Sequence, residues 1–112
     1  MVEYSTRLHE TFNALSAPVR LELLDRLTSG SRTVLELAEP FDVSLNAVSK
    51  HLKVLEKAGL VRRDVRGREH HISLSAQPLR EVSDYVAYFE RFWGDRLDAL
   101  EDYLEQRRRE KP

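Results

Sequence analysis

Between residues 44 and 71 the chain gathers side chains that can address a polyanion or the edge of a base. Ser44, Asn46, Ser49, Lys50, His51 and Lys53 fall within one ten-residue stretch. A helix lying in the major groove must present short polar and cationic groups from its first turns while its back packs on the domain. Asn46 suits a base edge, because an amide donates and accepts at once. The ammonium groups of Lys50 and Lys53 suit phosphates or guanine. A little further on, Arg66 and Arg68 flank Gly67, where they can enter a minor groove or lie along the backbone. An amphipathic surface helix also carries polar residues, so the helix alone does not separate the two readings. The basic turn that follows it makes the conjunction more specific. His51 stands beside the apolar stripe of the same stretch and either contacts a phosphate or braces the helix.

The net charge of -1 hides this concentration. From Ser44 to His71, seven basic side chains (Lys50, Lys53, Lys57, Arg62, Arg63, Arg66, Arg68) stand against Glu56, Asp64 and Glu69. That stretch therefore carries +4 and the remainder -5. Phosphate attraction needs only the local face, so an acidic body with one basic middle is compatible with a nucleic-acid partner.

Such a face must be positioned by a capped helix. Ser44 is placed as an N-cap for a helix from Leu45 to Ala58, with Val48, Leu52 and Leu55 inward and Gly59 closing it. Upstream, a first helix is expected over about Thr6 to Leu15, with Leu8, Phe12 and Leu15 on one face. Pro18 opens a second helix whose Val19, Leu23, Leu24 and Leu27 point inward and which stops near Ser29-Gly30. A third begins around Arg32 or Thr33, carries Val34, Leu37, Ala38 and Phe41 inward, and ends early because Pro40 disfavours a helical Glu39. Leu60–Val65 and Glu69–Leu74 read as two strands joined through Arg66-Gly67-Arg68. A last helix is expected from Pro78 to about Arg109. The fold class is mainly α with a small β-hairpin wing, a winged helix-turn-helix in the order α-α-α-α-β-β-α.

At 112 residues the chain suits one domain spanning 1–112. Apolar residues at 41% and charged residues at 33% fit a folded helical protein rather than a disordered one. No apolar run approaches the roughly 18 residues of a membrane span, and the polar start MVEYSTRLHE does not read as a signal peptide. With no cysteine, disulfides, thiolate metal sites and thiol redox sensing are excluded, and a cytoplasmic location is expected. An enzyme is disfavoured, since neither a nucleophile–base–acid set, a phosphate-binding glycine loop nor paired acids in a cleft can be found.

Three motifs carry a family resemblance. Leu15-Ser16-Ala17-Pro18-Val19-Arg20 resembles the "L-x-x-P-x-R" opening of second helices in the ArsR family of bacterial regulators. The run from Ser49 to Val61 (SKHLKVLEKAGLV) is similar to that family's "SxHLxxLxxAGLV" signature, and Gly67-Arg68 matches its wing tip. The resemblance spans about Leu8 to Leu74, with Pro40 a departure at one helix end. It implies a homodimeric repressor binding double-stranded DNA, at an inverted-repeat operator. Members that sense metals use cysteines on the DNA-proximal helix or Asp/His clusters on the last one. Here Thr33–Leu37 offers no thiolate, and the four histidines (His9, His51, His70, His71) lie at no ligand spacing. No metal or other cofactor is therefore expected. A small-molecule effector of unidentified chemistry remains open. The alternatives are a winged-helix protein-interaction module without DNA binding and a metal-responsive repressor.

The last helix is longer than a winged domain is wide, at roughly 1.5 Å per residue. Its Leu79, Val82, Val86, Phe89, Trp93, Leu97, Leu100 and Leu104 recur at steps of three and four. The expected dimer interface joins Leu8 and Phe12 of the first helix to Val86, Phe89, Trp93, Leu97, Leu100 and Leu104. The aromatic group Tyr85, Tyr88, Phe89, Phe92 and Trp93 serves that packing or lines a ligand cavity. Gly94, inside the helix, suggests a kink or a close crossing.

Overall fold

A computed structural model describes residues 2–110, with side chains from residue 6 onward. The elements run α1 (Val2–Ala14), α2 (Pro18–Arg26), β1 (Arg32–Thr33), α3 (Val34–Ala38), α4 (Leu45–Lys57), β2 (Val61–Arg66), β3 (Glu69–Leu74) and α5 (Gln77–Glu110). A 3-10 turn over Leu27–Ser29 extends α2. The chain divides into two compact units, Met1–Glu81 and Val82–Pro112.

The first unit is built round one apolar cluster. Leu23, Leu24 and Leu27 meet Leu37, Val48, Leu52, Leu55, Leu60, Val61 and Ile72, with Val19, Val34, Ala38 and Phe41 packed against its margin. Helical periodicity accounts for the members on α2, α3 and α4, while Leu60, Val61 and Ile72 reach the cluster from the loop after α4 and from strands β2 and β3. From α1, Leu8, Thr11 and Ala14 are buried. The Thr11 hydroxyl donates to the Arg7 carbonyl at 2.9 Å, which satisfies its one buried polar group within the helix. Leu8 is 6% exposed, so its own chain already covers it.

Two differences from the sequence reading concern the sheet and the third helix. The hairpin is one part of a three-stranded antiparallel sheet of order β1-β3-β2. The added strand pairs Arg32 with Ile72 and Thr33 with His71. Two residues hold no alternation to detect, so only the partner strand reveals them. The third helix ends at Ala38, ahead of Pro40, yet Glu39 keeps helical angles (φ -50, ψ -49). Proline's steric bias against a helical predecessor is modest enough for tertiary packing to override it.

The second unit is the remainder of α5, in which no residue is buried. Among the described residues, nothing beyond Gly94's chain neighbours and the helix's own nearby backbone lies within 4 Å of where a Cβ on Gly94 would stand. Among the described residues no helix is long and apolar enough to cross a membrane.

Candidate nucleic-acid interface

The helix-turn-helix is set by two caps. Thr33 precedes α3 and accepts from the Glu36 backbone N–H at 3.2 Å. Its own N–H and hydroxyl donate to Glu36 Oε1 at 3.1 and 3.0 Å, closing a capping box. Those donors hold the Glu36 carboxyl below the usual carboxylate range, the Thr33 N–H most and its hydroxyl next, with Arg32 and His71 adding smaller attractions. A depressed carboxyl contributes stability above its unfolded pKa and loses it as pH falls through the folded value. The box therefore holds at neutral pH and weakens in acid.

Ser44 caps α4 by accepting from the Ala47 N–H at 3.1 Å. This bond fixes where the helix starts and so which residues form its first turn. Ser44→Ala should lower stability by about 1 kcal/mol, read as a fall in the urea midpoint at unchanged slope. An unshifted midpoint would show that the cap does not set this helix start.

Val48, Leu52 and Leu55 are completely buried. That orientation leaves Asn46, Lys50 and Lys53 exposed on the opposite side, with Ser49 half-buried between. Among the described residues, Lys50 and Lys53 pair with no carboxylate. Their charges are thus available to an external anion.

His51 has a partner that periodicity does not reveal. Arg20 on α2 lies 3.0 Å from its Nδ1. The same guanidinium donates to the carbonyls of Ala14 (2.7 Å) and Asn13 (3.1 Å) at the end of α1, where helical carbonyls lack intrahelical partners; Asn13 also accepts from Ser16. A guanidinium only donates, so Nδ1 must accept and the neutral ring carries its proton on Nε2. Arg20 thereby ties α1, α2 and α4 together. His51 is a bracing residue with a donor nitrogen to spare.

The wing follows from strand alternation. Val61, Arg63 and Val65 share one face of the hairpin with Leu74, Ile72 and His70. Along this face exposure rises from Val61 (3%) and Ile72 (0%) to Val65 (55%) as the strands leave the core. At the crossing point Arg63 donates to Glu56 on α4, at 2.6 and 3.1 Å, and lies 3.0 Å from His70 Nδ1. This arginine fastens the wing to the recognition helix. Gly67 turns the hairpin at φ +62, a left-handed conformation that glycine adopts without strain.

On the opposite face Arg66 donates to Asp64 at 2.8 Å. Both side chains are well exposed, so the pair is weak, but the Arg66 charge is partly compensated. Among the described residues neither Arg68 at the turn nor Arg62 at the base of β2 has such a partner, so both are uncompensated cations of the wing.

The structure thus brings Ser44, Asn46, Ser49, Lys50, His51 and Lys53 onto one capped helix, beside a wing bearing Arg66 and Arg68. Sequence reading missed Arg20, Glu56, Arg63 and His70 as positioning residues. The arginine in "L-x-x-P-x-R" was a signal for the first; nothing local marks the other three. Among the described residues no group of three or more His, Asp or Glu side chains could hold a metal ion.

Comparisons with known proteins agree with this architecture. The helix-turn-helix domain family matches residues 15–64. The chain is 29% identical to the transcriptional repressor SdpR of Bacillus subtilis, over 73% of this chain and 91% of that protein. It is 39% identical to the HTH-type transcriptional repressor SmtB of Mycobacterium tuberculosis over 70% of this chain, and spans 59% of that repressor's length. A crystal structure of an ArsR family transcriptional regulator superposes with a TM-score of 0.78 at 34% identity, covering 80% of this chain and 93% of that one. The chain therefore belongs to the ArsR family and is a winged helix-turn-helix, DNA-binding transcriptional repressor.

Proposed function

We propose that this repressor works as a homodimer paired through α5 and binds an inverted-repeat operator with one recognition helix per half-site. The observation that carries the reading is the apolar row on α5. Val86, Phe89, Trp93, Leu97, Leu100 and Leu104 are 37–61% exposed in the single chain and recur at the spacing of a helix–helix seam. So much exposed apolar surface on a helix without a core of its own calls for a partner, and a second copy presents the same row in a closed two-fold pair. Phe12 on α1, 43% exposed, remains a candidate for the same interface.

In this reading Asn46 meets a base edge, Lys50, Lys53 and Arg68 meet phosphates, and His51 offers its Nε2–H to the backbone. Ser44 and Ser49 add hydroxyl donors at the start of the helix. The protein has no catalytic role and acts in the cytoplasm, where the chromosome is. Sedimentation equilibrium of the protein, with footprinting on genomic fragments it retains, tests the proposal. A dimer protecting two half-sites about one duplex turn apart supports it. A monomer at micromolar concentration, or a single protected half-site, rejects it.

We further propose that release from DNA is independent of metal, on the ground that the chain has no cysteine and α5 has no histidine. Zinc, cadmium or nickel in modest excess should leave operator affinity unchanged in a gel shift. Release at near-stoichiometric metal, reversed by a chelator, would overturn this.

A further inference from the structure

Leu45 is hard to account for by packing. It is the first residue of α4 and follows the Ser44 cap directly. Val48 and Leu52, on the same side of the helix, are completely buried, whereas Leu45 is 48% exposed. The apolar row of α4 thus runs out past the core at the end of the helix that leads toward DNA. There Leu45 lines an open groove of about 370 Å³ with Val34 and Leu35 of α3, Ser49 of α4, and Arg68 and His70 of the wing. Leu35 is itself 70% exposed. Ser49, half-buried between the inward row of α4 and its exposed row of Asn46, Lys50 and Lys53, joins this groove to the DNA-binding face, and the wing side of the groove carries both Arg68 and Glu69.

We infer that Leu45 is a specificity-determining residue that recognises the 5-methyl group of a thymine in each half-site. The inference rests on α4 being the helix that enters the major groove. Base edges there present hydrogen-bond donors and acceptors and a single kind of apolar group, the thymine methyl. An aliphatic side chain in the first turn of a recognition helix can make no hydrogen bond to a base. It gains only by covering a methyl and loses nothing by desolvation. Asn46 next to it supplies the polar half of the same reading, so adjacent residues address adjacent bases by different chemistry.

The test starts from duplexes enriched by the wild-type protein from a randomised library. Each thymidine of the enriched site is replaced in turn by deoxyuridine, which removes only the methyl. At one position of a half-site a single replacement should weaken wild-type binding about fourfold, the change expected for exposing one buried methyl group. The same replacement should leave Leu45→Ala unaffected. Leu45→Gln, whose amide favours adenine, should enrich a different base at that position, which also shows that the altered helix folds. Tolerance of deoxyuridine at every position, or equal sensitivity in Leu45→Ala, overturns the inference. A wild-type protein that enriches no sequence rejects the underlying DNA reading instead, and the inference with it.

Discussion

Leu97→Glu is expected to sediment as a monomer and to bind the full operator about 10²–10⁴-fold more weakly than the wild type. The range is the avidity lost when two linked binding events become independent. Leu97 lies within the apolar row of α5 and is 61% exposed in the single chain, so the charge costs nothing there. In a paired helix the carboxylate would be buried without a cation, and in a two-fold dimer it is introduced twice. The core of the winged unit contains no residue beyond Leu79, so the variant should keep its fold and unfold cooperatively. Trp93→Glu, changed at a second point of the same row, should behave alike. A monomeric Leu97→Glu that retains wild-type affinity for the full operator would refute pairing through α5 as a condition of binding.

Replacing Lys50 and Lys53 together by Ala should weaken binding to all sequences, specific and nonspecific alike. If each lysine neutralises one phosphate, a dimer loses four contacts, and the log–log salt slope flattens by about 3.6 at roughly 0.9 per contact. Near physiological salt that amounts to a loss of roughly a hundredfold or more. Both side chains are exposed, so stability should scarcely change. Asn46→Ala should act differently, relaxing preference at one base position by about 1–3 kcal/mol with the salt slope intact. Titrating a gel shift over several salt concentrations separates the two effects. A double lysine variant with an unchanged slope would mean that this face of α4 does not meet the phosphates.

The Arg20–His51 and Arg63–Glu56–His70 arrangements give these expectations a structural frame. Both use a guanidinium that satisfies acceptors on separate elements, and both end on α4. The recognition helix is thus held from behind by α2 and from the side by the wing, while Asn46, Lys50 and Lys53 of its exposed row make no side-chain bond among the described residues. Such a division lets the reading residues change without loosening the scaffold. It also explains why His51, though it belongs to the most recognisable motif of the chain, is turned toward Arg20.

How much of this was legible in advance depended on the range of the interaction. The start of α4 at Leu45, its inward Val48, Leu52 and Leu55, the Pro18 start of α2 and the turn at Gly67 were all readable, because each is governed by neighbours within about one helical turn. The strand Arg32–Thr33 was not readable. Its pairing with residues 71 and 72 is non-local, and two residues carry no period. Arg66 and Arg68 read alike as cations flanking Gly67, whereas the hairpin sets the first against Asp64, two residues back on the same face. Leu8 and Phe12 looked alike as members of one stripe, but the fold covers the first and leaves the second partly open. Sequence by itself determined the order of the helices and of the wing hairpin, the inward stripes and the capped basic helix, since local sterics and periodicity suffice for these. Only the tertiary structure decided that Arg63 is tied to Glu56 and His70, what His51 faces and where the apolar row of α4 emerges. Each of these depends on distant segments meeting at distances of a few ångströms, which no spacing along the chain encodes.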